Sequence, residues 1–139
     1  MTRAMGAKSP TAHSTKTLME KLGVRNESEV VVLNLDDPEF LAQLSRLSPL
    51  VRTQDARGVD FIFCFVENKA GLAVLKSLRR RIRPNGAIWV TFPKGQESIR
   101  LTDVIRAAKS SGLVDTKVVS FSSTDTALKL VIPLAKRTK

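Results

Sequence analysis

Apolar residues along this chain follow two periods. Val30 to Leu35, Val59 to Val66 and Ala87 to Phe92 are nearly continuous apolar runs, the pattern of strands covered on both faces. Between and after them, apolar positions recur at helical spacing. Phe40, Leu41, Leu44 and Leu47 follow Asp37-Pro38, where Asp37 suits an N-cap and Pro38 the first helical position. Residues 69–83 read as the clearest helix, with Gly71, Leu75, Leu78 and Ile82 on one face. A helix from Leu101 to Ser111 carries Leu101, Val104, Ile105 and Ala108 inward and stops at Gly112.

Shorter signals fill the gaps. A helix beginning near Ser14 or Thr15 has a hydroxyl cap, Leu18, Met19 and Leu22 on one side, and Gly23 as its stop. Residues 50–53 predict a short strand, and Pro84-Asn85-Gly86 predicts a turn into the third apolar run. Lys117 to Phe121 and Ala127 to Leu134 predict a closing antiparallel pair. This order specifies an α/β fold: a Rossmann-like three-layer domain whose sheet is mostly parallel, with a C-terminal antiparallel β pair. It occupies residues 14–139 as a single domain, behind a tail over 1–13 with no periodicity.

Composition changes this picture in three places. The longest purely apolar run, Phe61 to Val66, is far too short for a membrane span, and the N-terminus lacks the apolar stretch of a secretory signal. The single cysteine, Cys64, lies inside that run and reads as a buried hydrophobe in a reducing cytoplasm. The net charge is +10, unevenly spread. Five bases and one acid give residues 1–25 a charge of +4, three bases and eight acids give 26–67 a charge of −5, and fifteen bases and four acids give 68–139 a charge of +11. Lys69, Lys76, Arg79, Arg80 and Arg83 fall away from the apolar face of the 69–83 helix and are candidates for phosphate contact with a nucleic acid. Solubility is the alternative, because no aromatic residues interleave with them and no nucleic-acid motif is present.

The order of strand, basic helix, Arg83-Pro84-Asn85-Gly86-Ala87-Ile88-Trp89-Val90, helix, Ser111-Gly112-Leu113-Val114 and β pair resembles the second half of class I S-adenosylmethionine-dependent methyltransferases. Lys21-Leu22-Gly23, Val90-Thr91-Phe92-Pro93-Lys94, Leu101-Thr102-Asp103-Val104-Ile105-Arg106, Gly112-Leu113-Val114-Asp115-Thr116-Lys117 and Ala127-Leu128-Lys129 are similar to a small bacterial family with a shortened domain of that kind. The likeness covers roughly residues 15–137 and implies a Rossmann-type fold but no particular reaction. Asp125-Thr126 stands where that family places a tryptophan.

In open α/β sheets, ligands bind beyond the C-terminal ends of the strands where strand order reverses. Here that crevice is expected between the first and second apolar runs. Asn34, Asp36, Asp37, Glu67 and Lys94 are the candidate ligand-binding residues. Phosphate or carboxylate cradles need close backbone N–H groups at a helix N-terminus. The first strand instead runs into Asp36-Asp37-Pro38, two carboxylates and a residue without an N–H.

The expectation is therefore a non-catalytic binding or interaction module in the bacterial cytoplasm, with no cofactor, no metal and no catalytic residue; His13 lies in the tail. Its partner is a small ligand or a protein, and it is a monomer or homodimer without membrane attachment. The alternatives are a divergent S-adenosylmethionine-dependent methyltransferase, with Asp36 or Asp37 on the ribose, and a nucleic-acid binder using the basic helix.

Overall fold

The structure, a computed structural model, describes residues 17–26, 28–47, 51–52 and 57–136. The expected tail over 1–13, with His13, lies outside the described residues. Helix α1 (Leu18–Leu22) is followed by strand β1 (Val30–Leu33), α2 (Pro38–Leu47), β2 (Val51–Arg52) and β3 (Val59–Phe65). A 3-10 segment (Lys69–Val74) runs into α3 (Leu75–Arg79), then come β4 (Ile82–Pro93), α4 (Leu101–Ser110), β5 (Val114–Ser120) and β6 (Asp125–Val131).

The six strands form one sheet in the order β2-β1-β3-β4-β6-β5. Strand β1 pairs in parallel with β2 and β3, and β3 with β4. Strand β6 lies antiparallel to both β4 and β5, so it alone runs against the others. The chain moves outward from β1 to β2 and then returns across β1 to β3. Strand order therefore reverses between β1 and β3, and the C-terminal ends of those two strands define the crevice.

Helices cover both faces, as the continuous apolar runs require. On one side the 3-10 segment, α3 and α4 bury Leu72, Leu75, Leu78, Val104 and Ala108 against Ile62, Ile88, Val90 and Leu128. On the other, α1 and α2 bury Met19, Leu22, Phe40 and Leu44 against Phe63, Trp89 and Phe121. The Phe40 ring meets that of Phe63 edge-on at 5.1 Å and that of Phe121 in a tilted arrangement at 5.0 Å, contacts that add to area burial. Cys64 is buried, and burial pushes its thiol up to about 12. Among the described residues no helix is long and apolar enough to cross a membrane.

Several local expectations need correction. Helix α1 starts at Leu18 with Thr17 as its cap, because Glu20 completes a capping box: Glu20 N–H donates to Thr17 Oγ1 and Thr17 N–H to Glu20 Oε1. Leu101, expected to face inward, is exposed at the first turn of α4.

The helix expected over 69–83 ends at Arg79 and begins as a 3-10 segment. Gly71 presses on Val66, where a Cβ would stand 2.9 Å from Val66 Cγ1, and the Asn68 carboxamide accepts the Gly71 N–H. Pro84-Asn85-Gly86 is no free turn; it is an insertion within β4. Val59 pairs with Ile82 but Phe61 pairs with Ala87, so three extra residues bulge out of the β4 side. Gly86 is required there, since a Cβ would meet the Asp60 and Val59 carbonyl oxygens at 2.9 and 3.1 Å. The closing pair also begins earlier than expected, at Val114 and Asp125. The antiparallel ladder to β4 continues as far as Pro93 opposite Asp125.

Candidate functional site

Strand β1 ends at Leu33, and Asn34 turns the chain with φ of 58°. Asparagine is one of the few residues other than glycine that visits this left-handed region, because its short side chain can bond locally. The turn delivers Asp36 and Asp37 to the head of α2. Asp37 Oδ1 accepts the Phe40 N–H at 3.0 Å, and the Asp37 carbonyl accepts the Leu41 N–H at 2.9 Å. Asp37 is thus the N-cap that its position predicts. Pro38 has no N–H to offer, so the helix terminus is satisfied by its own cap.

Asn34 and Phe65 divide the crevice into two clefts. One, of about 330 Å³, lies toward the 3-10 segment and is lined by Asn34, Cys64, Glu67, Asn68, Gly71 and Val74 among others. The other, of about 420 Å³, lies toward α2 and is lined by Asn34, Leu35, Asp36, Asp37, Pro38, Phe65 and Asp125. The candidate residues therefore separate. Asp36 and Asp37 share a cleft, Glu67 faces the other, and Asn34 alone touches both. Lys94 lines neither: its ammonium donates to Ser120 Oγ at 2.8 Å and its N–H to the Thr124 carbonyl, turning it toward the β5–β6 hairpin.

Asp125 joins this site although it is not among the residues expected there. The hairpin brings its carboxylate into the α2 cleft opposite Asp37, and its pKa is raised, first by burial and further by Asp37. A hydrogen bond with Thr124 and the charge of Lys94 oppose that shift. Its one sequence signal is the Asp125-Thr126 pair standing in place of a tryptophan. Three carboxylates at one mouth disfavour any anionic ligand group. Among the described residues, no group of three His, Cys, Asp or Glu side chains is arranged to hold a metal ion.

The basic candidates also separate. Arg83 lies in β4, where its Nε donates to the Gly58 carbonyl at 2.8 Å and its guanidinium meets Glu29 at 2.8 Å and Asp60 at 3.4 Å. Arg79 Nε donates to the Gly112 carbonyl at 3.0 Å, just beyond the end of α4. Both are structural cross-links. Lys69, Lys76 and Arg80 remain exposed. Lys69 rims a groove of about 370 Å³ between the 3-10 segment and α4, with Ala73, Asp103, Arg106, Ala107 and Ser110.

No family model and no curated protein matches the chain. Solved structures do. A SAM-dependent methyltransferase from Aquifex aeolicus superposes with a TM-score of 0.63 at 13% identity, covering 84% of this chain and 88% of that one. A ribosomal protein L11 methylase from Lactobacillus delbrueckii subsp. bulgaricus gives 0.61 at 9%, over 83% and 74%. A TehB-like SAM-dependent methyltransferase from Corynebacterium glutamicum gives 0.54 at 11%, over 84% and 85%. The fold is that of the class I S-adenosylmethionine-dependent methyltransferases, in a shortened Rossmann-like form. At these identities the likeness concerns the fold alone.

Proposed function

We propose that this chain is a non-catalytic binding or interaction module built on the methyltransferase-like fold. The observation that supports this reading is the occupied head of α2. Asp37 takes the N–H that an anion would need, Pro38 removes another, and Asp36 and Asp125 add negative charge around the same cleft. A ligand for this cleft is neutral or cationic on the side facing those acids. Titration calorimetry with S-adenosylmethionine and S-adenosylhomocysteine tests the reading. No heat of binding at millimolar ligand is the expected result, and saturable binding below about 100 μM would replace it with the divergent methyltransferase.

A second reading has its own observation. From Lys69 to Arg81 the chain carries five bases and no acid, and of these Lys69, Lys76 and Arg80 are exposed on one helical layer. This supports binding to a nucleic-acid backbone. Lys76→Ala with Arg80→Ala is expected to reduce RNA affinity and flatten its salt dependence by about one unit of slope for each phosphate that is no longer neutralised. An unchanged slope removes this reading.

A further inference from the structure

A wide concavity lies at the opposite end of the sheet, beneath α1 and at the N-terminal ends of β1 and β3. It measures about 790 Å³ and is lined by Gly23, Val24, Arg25, Asn26, Phe61, Asn85 and Lys129, with Glu20, Ser28 and Asp60. This volume is typical of small-molecule sites. Its two carboxylates are already engaged: Glu20 accepts the Thr17 N–H, and Asp60 accepts the Glu29 N–H and pairs with Arg83. Its two cations are not. Among the described residues, neither the Arg25 nor the Lys129 side chain has a hydrogen bond or an ion pair.

Lys129 is the less expected of the two. It lies on the sheet face in register with Trp89 on one side and Lys117 on the other. Like charges directly opposite across a ladder destabilise it. Lys117 has a structural reason to be there, since its ammonium donates to the Lys21 carbonyl at the end of α1 at 2.8 Å. Among the described residues, Lys129 has none. A local conflict of this kind, without compensation among the described residues, is characteristic of a functional site.

Phe61 lies only partly buried on the same face. Strand spacing places it two strands over and two residues along from Lys129, about 12 Å away. The residue between Phe61 and Val131 in that row is Ala87, which puts only a methyl group there. Asn26 and Asn85 add carboxamides, able to donate and accept at the edge of a planar ring.

We propose that this groove binds a small anionic ligand carrying a planar ring, with the anion held by Lys129 and Arg25 and the ring lying against Phe61. A nucleoside monophosphate and an aromatic carboxylate share this chemistry. The site is distinct from the crevice beyond β1 and β3 and does not depend on how that crevice is used. Burial and the Lys117 charge lower the Lys129 pKa, the penalty that a bound anion would relieve.

Trp89, the one tryptophan of the chain and the cross-strand neighbour of Lys129, is the natural reporter. The full chain is titrated with adenosine 5′-monophosphate, benzoate, adenosine and inorganic phosphate, followed by Trp fluorescence and by amide shifts of Asn26 and Asn85. Saturable binding of the monophosphate, of benzoate or of both is expected, with adenosine and phosphate at least tenfold weaker. Which of the two binds identifies the source of the anion. Lys129→Met is expected to weaken the ring-bearing anion at least tenfold while the melting temperature at pH 7 stays level or rises. Phe61→Leu is expected to weaken ring-bearing probes but not phosphate. Absence of any saturable response up to about 10 mM, or equal affinity in Lys129→Met, would overturn the proposal. Adenosine binding as tightly as its monophosphate would overturn it as well.

Discussion

The two ends of the same parallel strands carry opposite chemistry. Beyond the C-terminal ends of β1 and β3, Asp36, Asp37 and Asp125 gather around a helix head that is already capped. Beneath the N-terminal ends, the carboxylates are tied up and, among the described residues, Arg25 and Lys129 have no partner. Solved structures of this fold name S-adenosylmethionine-dependent enzymes, yet here the end where ligands of α/β sheets bind is the one least suited to an anion. Architecture and ligand chemistry are thus separable: one strand order places acids at one end of this sheet and cations at the other.

This contrast can be broken at three points. The largest effect is expected from Trp89→Phe. Trp89 Nε1–H donates to the Leu22 carbonyl at 3.0 Å, tying α1 over the lower groove, and its loss leaves a buried carbonyl unpaired at a cost of about 1–3 kcal/mol. Denaturant melts give the cost. Faster hydrogen exchange at Lys21 to Val24 shows whether the groove wall loosens; unchanged exchange means that packing alone holds α1.

Asp37→Ala acts at the other end. Loss of the N-cap is expected to cost about 1 kcal/mol, read from the same melts. S-adenosylmethionine binding is not expected to appear, because Pro38 still withholds its N–H; its appearance would show that the carboxylate alone had closed the cleft.

The smallest effect is in pH dependence. The folded-state pKa of Asp125 is raised above 3.8, so the folded state holds this proton more tightly than the unfolded chain does. Its contribution to stability is therefore present below the ordinary carboxylate pKa and is lost as pH rises through the raised value. Asp125→Asn is expected to melt higher than wild type at pH 7, with the gain shrinking toward pH 3. A gain independent of pH would mean that charge is not the cause.

Much of the fold is legible in the sequence because the apolar runs are long. Val30 to Leu33, Val59 to Phe65 and Ala87 to Phe92 all lie in strands, and Asp37-Pro38 starts α2 as its cap chemistry requires. The segment from Lys69 to Gly86 defeats a local reading for a physical reason. Its helical spacing is real through Leu78, but the pairing of Ile82 with Val59 is long-range information that no local window contains. The site is legible only in parts. Asn34, Asp36 and Asp37 follow directly from the end of β1. The separation of Glu67 from them by Phe65, the turning of Lys94 toward Ser120, and the arrival of Asp125 all depend on tertiary packing. Lys129 is hidden for the same reason, since its conflict with Lys117 exists only once the hairpin register is set.

Strand β4 joins the parallel and antiparallel parts of the sheet, and this has a consequence for synthesis on the ribosome. Its partner on one side, β3, precedes it, but its partner on the other, β6, ends only at Val131. Until that residue has cleared the exit tunnel, Ile88, Trp89 and Val90 form an open, apolar sheet edge at what becomes the buried centre of the molecule. The growing chain thus passes through a stage at which this open edge is most prone to stick to its neighbours. The closing hairpin, built from contacts close in sequence, ends that stage quickly once it emerges.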